Sequence, residues 1–153
     1  MYSKYLHGCK HCSIFTQTKT MITATSIQKE ITIPNCVLIT RHDNGIIELK
    51  WDPVLQEITK ETLIEVKGYI GDLSNGKKVP ILVAPCDFLS ITAEARAYSA
   101  SDEGQEYTVA NAVLIDNMAK SMAFNIYLKI NKPQTPTRSF SDREKAIEWL
   151  LSF

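Results

Sequence analysis

The chain has 153 residues, enough for one domain with an extension. Its 17 basic and 17 acidic residues cancel to a formal net charge of zero, which argues against a nucleic-acid footprint and a polybasic membrane anchor. No apolar run approaches the roughly 20 residues of a membrane helix. No secretory pattern opens the chain. Cys9, Cys12, Cys36 and Cys86 are therefore expected to be thiols in a reducing cytoplasm.

Residues 1–33 are rich in Thr, Ser, Gln and Lys and lack a sustained period. Such a segment buries too little apolar surface to offset its ordering entropy. A flexible tail over 1–33 is expected, with one short strand near Lys29–Ile33, and Met21 is an alternative start. The tail holds HGCKHC, in which His7, Cys9, His11 and Cys12 carry zinc-ligating atoms. A closed zinc site needs four ligands in a tetrahedron, and a redox C-x-x-C normally follows a strand and opens a helix. Neither setting is evident, so no metal and no cofactor are expected.

The domain is expected over 34–153. Cys36–His42 and Ile46–Trp51 read as a hairpin, because Asn44-Gly45 suits a turn with positive φ at both central residues. Ile47, Leu49 and Trp51 alternate with Glu48 and Lys50, giving one dry face. A helix is predicted over 60–73, with Thr59 as its N-cap, Ile58 and Leu63 as a hydrophobic staple, and Asn75-Gly76 as its stop. Leu63, Val66, Ile70 and Leu73 form its core stripe. The apolar run Val79–Ala84 suits a strand buried on both faces, as in a parallel sheet. A second helix begins after Thr92. Val109–Ile115 is a second such strand, and Met118–Ile130 a third helix. Arg138–Phe140 suits a short edge strand. Ser141 and Glu144 form a capping box for a last helix that buries Ile147, Leu150 and Leu151.

This order, β-β-α-β-α-β-α-β-α, specifies an α/β fold: a mixed sheet with an N-terminal hairpin and right-handed crossovers. The segments DNGIIELKW, KKVPILV, ITAEARAY, AVLID and FNIYLKINKPQTPTRSFSDREKAIEWL carry a resemblance over about residues 36–153. They resemble the STAS-like fold of bacterial anti-sigma-factor antagonists, and more closely small bacterial STAS-like proteins without an assigned activity. The resemblance implies a regulatory, non-catalytic interaction module. Its better-known members present a phosphorylated serine in an Asp-Ser-Ser-Gly-like turn at the start of the second helix. Ser90 and Thr92 fall there in this chain, which lacks that Asp and Gly. The alternative for Thr92 is a helix N-cap.

Enzyme chemistry has little footing. The six glycines are scattered, and no phosphate loop, G-x-S-x-G or H-E-x-x-H appears. Cys86 lacks a nearby base and is expected to be a half-buried thiol. His42-Asp43 is expected to be the shoulder of a hairpin turn, and Asp52 a turn former. The Met118–Ile130 helix has more apolar surface than one buried face needs. Its Phe124, Tyr127 and Leu128 are the expected interaction face, for a protein partner or a second copy in a homodimer. Met118, Met122, Ile126 and Ile130 make a separate stripe. The leading expectation is a cytoplasmic protein-interaction module without membrane insertion. The alternative is a carrier or sensor of a small apolar, lipid-like ligand.

Overall fold

The computed structural model describes residues 26–153. The HGCKHC motif, Met21 and the tail up to residue 25 lie outside the described residues.

The elements run β1 (Ile27–Ile33), β2 (Val37–His42), β3 (Ile47–Trp51), β4 (Glu57–Ile58), α1 (Lys60–Ser74), β5 (Val79–Ala84), β6 (Ser90–Ile91), α2 (Ala93–Ala100), β7 (Thr108–Leu114), α3 (Met118–Asn131), β8 (Thr137–Phe140) and α4 (Arg143–Leu150). Six strands form one sheet in the order β1-β2-β3-β5-β7-β8. The first two pairings are antiparallel, and β3-β5, β5-β7 and β7-β8 are parallel. The fold is therefore mixed α/β, with the expected element order intact, the short strand of the tail included, and two strands added.

The short strand expected near Lys29–Ile33 is longer, Ile27–Ile33, and is registered against β2 from Ile27↔His42 to Ile33↔Val37. The segment is mostly exposed, so main-chain pairing holds it where side-chain burial could not, and composition alone understates it. β4 and β6 are the additions. They form a two-residue parallel ladder, Glu57↔Ser90 and Ile58↔Ile91. This ladder ties together the starts of α1 and α2, whose N-caps Thr59 and Thr92 accept from the amides of Thr62 and Ala95.

Helix ends follow local chemistry. Asn75 ends α1 at φ 53°, and Gly76 continues the turn at φ 71°, in the left-handed region that Asn and Gly tolerate best. At α4 the expected cap shifts by one residue. Asp142, not Ser141, is the N-cap, and its carboxylate accepts from the amides of Glu144 and Lys145. A carboxylate there also meets the positive end of the helix dipole.

Two cores flank the sheet. On one face Val37, Ile39, Ile47, Leu49, Trp51, Val79 and Ile81 meet Val66, Ile70 and Leu73 of α1 and Ala95 of α2. On the other, Ile46, Leu82, Ala110 and Ala112 meet Ala146, Ile147 and Leu150 of α4. The period of two along β5 and β7 sends alternate residues to opposite sides.

Candidate functional site: an apolar channel on one face of the sheet

Between the sheet and α1, α2 and α3 lies a cavity of about 550 Å³, within the usual range for small-molecule sites. Leu49, Trp51, Ile81 and Val83 contribute from the sheet, Leu63, Val66 and Ile70 from α1, and Phe124 and Tyr127 from α3. Along β7 the lining runs from Thr108 through Asn111 and Val113 to Ile115. Seven residue steps at strand rise span roughly 20 Å, so the cavity is an elongated channel. At its far end Pro85 and Cys86 follow the carboxyl end of β5, the edge where open α/β sheets place ligands.

The channel exists because α3 covers the sheet thinly. None of its residues is buried. It is held at its edges, by Lys120 Nζ to Asp87 (2.8 Å) and to the Pro85 carbonyl (3.4 Å), and by the Ser99 and Tyr127 hydroxyls at 3.3 Å. Phe124 and Tyr127 lie 6.3 Å apart between ring centroids and turn inward, half-buried. Of the expected interaction face, Phe124 and Tyr127 line the channel and Leu128 is half-buried; Met118, Met122, Ile126 and Ile130 form the more exposed stripe, from which Ile126 also reaches the channel lining. Helical periodicity shows that two apolar stripes exist, but not which one turns inward.

Among the described residues three cations line the channel, with no acidic side chain beside them in the lining. Lys67 Nζ lies 3.2 Å from Glu106 Oε2. Burial lowers its pKa, but the neighbouring Glu106 carboxylate helps to outweigh that and raise it. Lys120 behaves alike, with Asp87 and Asp116 outweighing burial. Arg96 donates to the Ile91 carbonyl at 2.8 Å. Asn111 donates to Gln105 at 2.8 Å. Burial raises the Tyr127 hydroxyl above its ordinary value, so it stays a neutral donor and acceptor. The Tyr98 hydroxyl is buried without a hydrogen-bond partner among the described residues.

The remaining candidates are placed apart. Cys86 Sγ faces the Asp52 carbonyl at 3.4 Å. His42 Nε2 meets Glu48 Oε2 at 3.0 Å, and Arg143 of α4 clamps both oxygens of Glu48 at 2.6 Å each. Burial raises the Glu48 pKa, but Arg143 and His42 more than reverse this and hold it below the ordinary value. No nucleophile–base pair joins Cys86 to His42. Burial pushes the Cys36 thiol up, helped by Glu65 and Asp52, and so disfavours its thiolate. Asp52 accepts from the amide of Val54, as a turn former does. Ser90 is exposed on β6, its hydroxyl 3.0 Å from the Gln56 carbonyl. Thr92 is half-buried and caps α2, accepting from Ala95 at 3.1 Å. Among the described residues no group of three His, Cys, Asp or Glu could hold a metal ion, and no helix is long and apolar enough to cross a membrane.

Sequence reasoning missed Arg96, Lys67 and Lys120, since lone cations on amphipathic helices look like solvated side chains. The one available signal was Asn111, a polar residue inside the apolar run of β7.

Two solved structures are similar to this chain. One is an uncharacterized protein of the DUF3478 family with a SpoIIAA-like fold from Shewanella loihica PV-4. It is 13% identical, with 98% of this chain and 99% of that chain covered at a TM-score of 0.48. The other is a protein of unknown function from Arthrobacter sp. FB24. It is 22% identical, with 73% and 96% covered at a TM-score of 0.28. No curated protein matches the chain. The model of the family described as Domain of unknown function (DUF7793) matches residues 38–153, and the chain belongs to that family.

Proposed function

We propose that the protein is a non-catalytic binding module of the cytoplasm whose channel takes up an apolar small molecule, as its carrier or sensor. The observation that carries this is the channel itself. A void of about 550 Å³ walled by Leu49, Trp51, Ile81, Val83 and Phe124 forfeits dispersion contacts that a close-packed interior would make. An apolar occupant restores them and removes further apolar surface from water. Native mass spectrometry of the purified full chain should show a co-purifying apolar molecule, or saturable binding of added dodecanol. Val113→Phe, which fills the channel, should abolish either. A chain that carries nothing and binds no dodecanol overturns the reading.

A second reading, a regulatory interaction module, rests on the exposed stripe of α3. Met118, Met122, Ile126 and Ile130 are each more than half exposed. Apolar patches of this kind mark interaction surfaces, and a second copy supplies a matching stripe across a two-fold axis. Met122→Glu with Ile126→Lys should convert a dimer into a folded monomer by sedimentation. A wild-type monomer would exclude self-association through this face. A regulatory phosphorylation would fall on Ser90 before Thr92, because Ser90 is exposed whereas Thr92 is half-buried and caps α2.

A further inference from the structure

We infer that the occupant of the channel is an elongated amphiphile with one anionic head, a carboxylate or phosphate, anchored by Arg96. The inference rests on the ligand-binding reading above and names the class of ligand. Its basis is a charge balance. Lys67 is offset by Glu106, and Lys120 by both Asp87 and Asp116. Arg96 has no carboxylate partner among the described residues. The Ile91 carbonyl satisfies one of its N–H groups but leaves its full charge in place, and a guanidinium cannot shed its proton. A half-buried cation beside an apolar channel without acidic lining leaves one positive charge for a ligand to neutralise. Its remaining N–H donors suit the paired oxygens of a carboxylate or phosphate.

Neighbouring groups extend the polar end. Ser99 lies three residues beyond Arg96 on α2 and shares its helix face, and its hydroxyl reaches Tyr127. Leu49, Val83, Val113 and Phe124 make the channel walls mostly apolar, with Thr108 and Asn111 the polar groups along β7. The roughly 20 Å run along β7 suits an extended alkyl chain better than a compact ring system. One charged end and a long apolar remainder describe an amphiphile, not a neutral hydrocarbon and not a polar metabolite.

Isothermal titration calorimetry of the full chain with dodecanoate, dodecyl phosphate and dodecanol, each below its aggregation concentration, tests this. Both anions should bind at least about ten-fold tighter than the alcohol, the scale of one charge-assisted hydrogen-bond pair. Arg96→Gln should erase that preference, bringing the anions to the affinity of dodecanol for the same variant, while Arg96→Lys keeps part of it. Equal affinity of the wild type for anions and alcohol overturns the inference and leaves the apolar-ligand reading standing. A preference that survives Arg96→Gln overturns Arg96 as the anchor. Failure of all three probes to bind removes both readings together. Should Arg96→Gln not fold, the wild-type ratio of anion to alcohol affinity and the Arg96→Lys variant still decide the matter.

Discussion

On β7 two kinds of packing can be compared residue by residue. Ala110 and Ala112 look toward α4 and are wholly buried, as is Ala146 opposite them. Three small side chains let the helix lie close to the sheet, and Leu150, Ile147 and Leu82 fill what remains. Asn111 and Val113, on the alternate positions, look into the channel. There the covering helix has no buried residue and stands on its edges. One strand thus serves a close-packed interior and an unfilled one. The first stabilises the domain. The second gives up packing energy, which is the physical mark of a site kept open for something else.

The largest expected effect tests the packed side. Leu150→Ala should cost about 2–5 kcal/mol in urea unfolding, the range for a fully buried large-to-small change. A loss below 1 kcal/mol would mean that α4 is loosely docked and the contrast false. The contrast itself is tested by neighbours on β7. Ala112→Leu should destabilise by about 1–3 kcal/mol through overpacking. Val113→Leu, one residue on, should cost less than about 0.5 kcal/mol, because the added volume enters empty space. Equal penalties would show that the channel is closed in solution.

Smaller effects follow at the α4 end. Asp142→Ala should cost about 1 kcal/mol as a lost N-cap, whereas Ser141→Ala should be nearly silent. The Arg143–Glu48–His42 cluster ties α4 to β3 by charge, and its contribution depends on pH. The folded-state pKa of Glu48 is depressed. Its stabilising effect is therefore fully present above the ordinary glutamate value and is lost as pH falls through the folded value. The stability gap between wild type and Glu48→Gln should narrow between pH 6 and pH 3, by roughly a kilocalorie or less because Arg143 is half exposed. A gap independent of pH would show that the carboxylate is not held by its partners.

The parts legible in the sequence share a local cause. The Asn44-Gly45 hairpin, the Thr59 and Thr92 caps and the Asn75-Gly76 stop are each written within a few residues, and the strands β5 and β7 announce themselves by length and apolarity. What escaped is non-local. The full length of β1 is set by its pairing with β2, where composition indicated only a short strand near Lys29–Ile33. The orientation of α3 depends on which stripe meets the sheet, and Phe124 and Met122 are equally apolar to a sequence reading. Arg96 acquires meaning only from the absence of a carboxylate partner among the described residues, a property of three-dimensional neighbours. The channel was legible only as excess, more apolar surface on α3 than one face requires.

The thin cover that α3 gives the sheet also sets a timescale. Amide hydrogens exchange with solvent by the cheapest opening that exposes them, so segments of one domain differ according to how much each must break. To detach, α3 breaks the Lys120 ion pair with Asp87, its hydrogen bond to the Pro85 carbonyl and a hydroxyl contact at Tyr127, and it uncovers no buried residue of its own. The amides of β5 and β7, paired on both sides, wait for the whole domain. A hydrogen–deuterium time course should therefore label 118–131 well before 79–84 and 108–114. A channel filled by its occupant should slow the first segment and leave the other two unchanged.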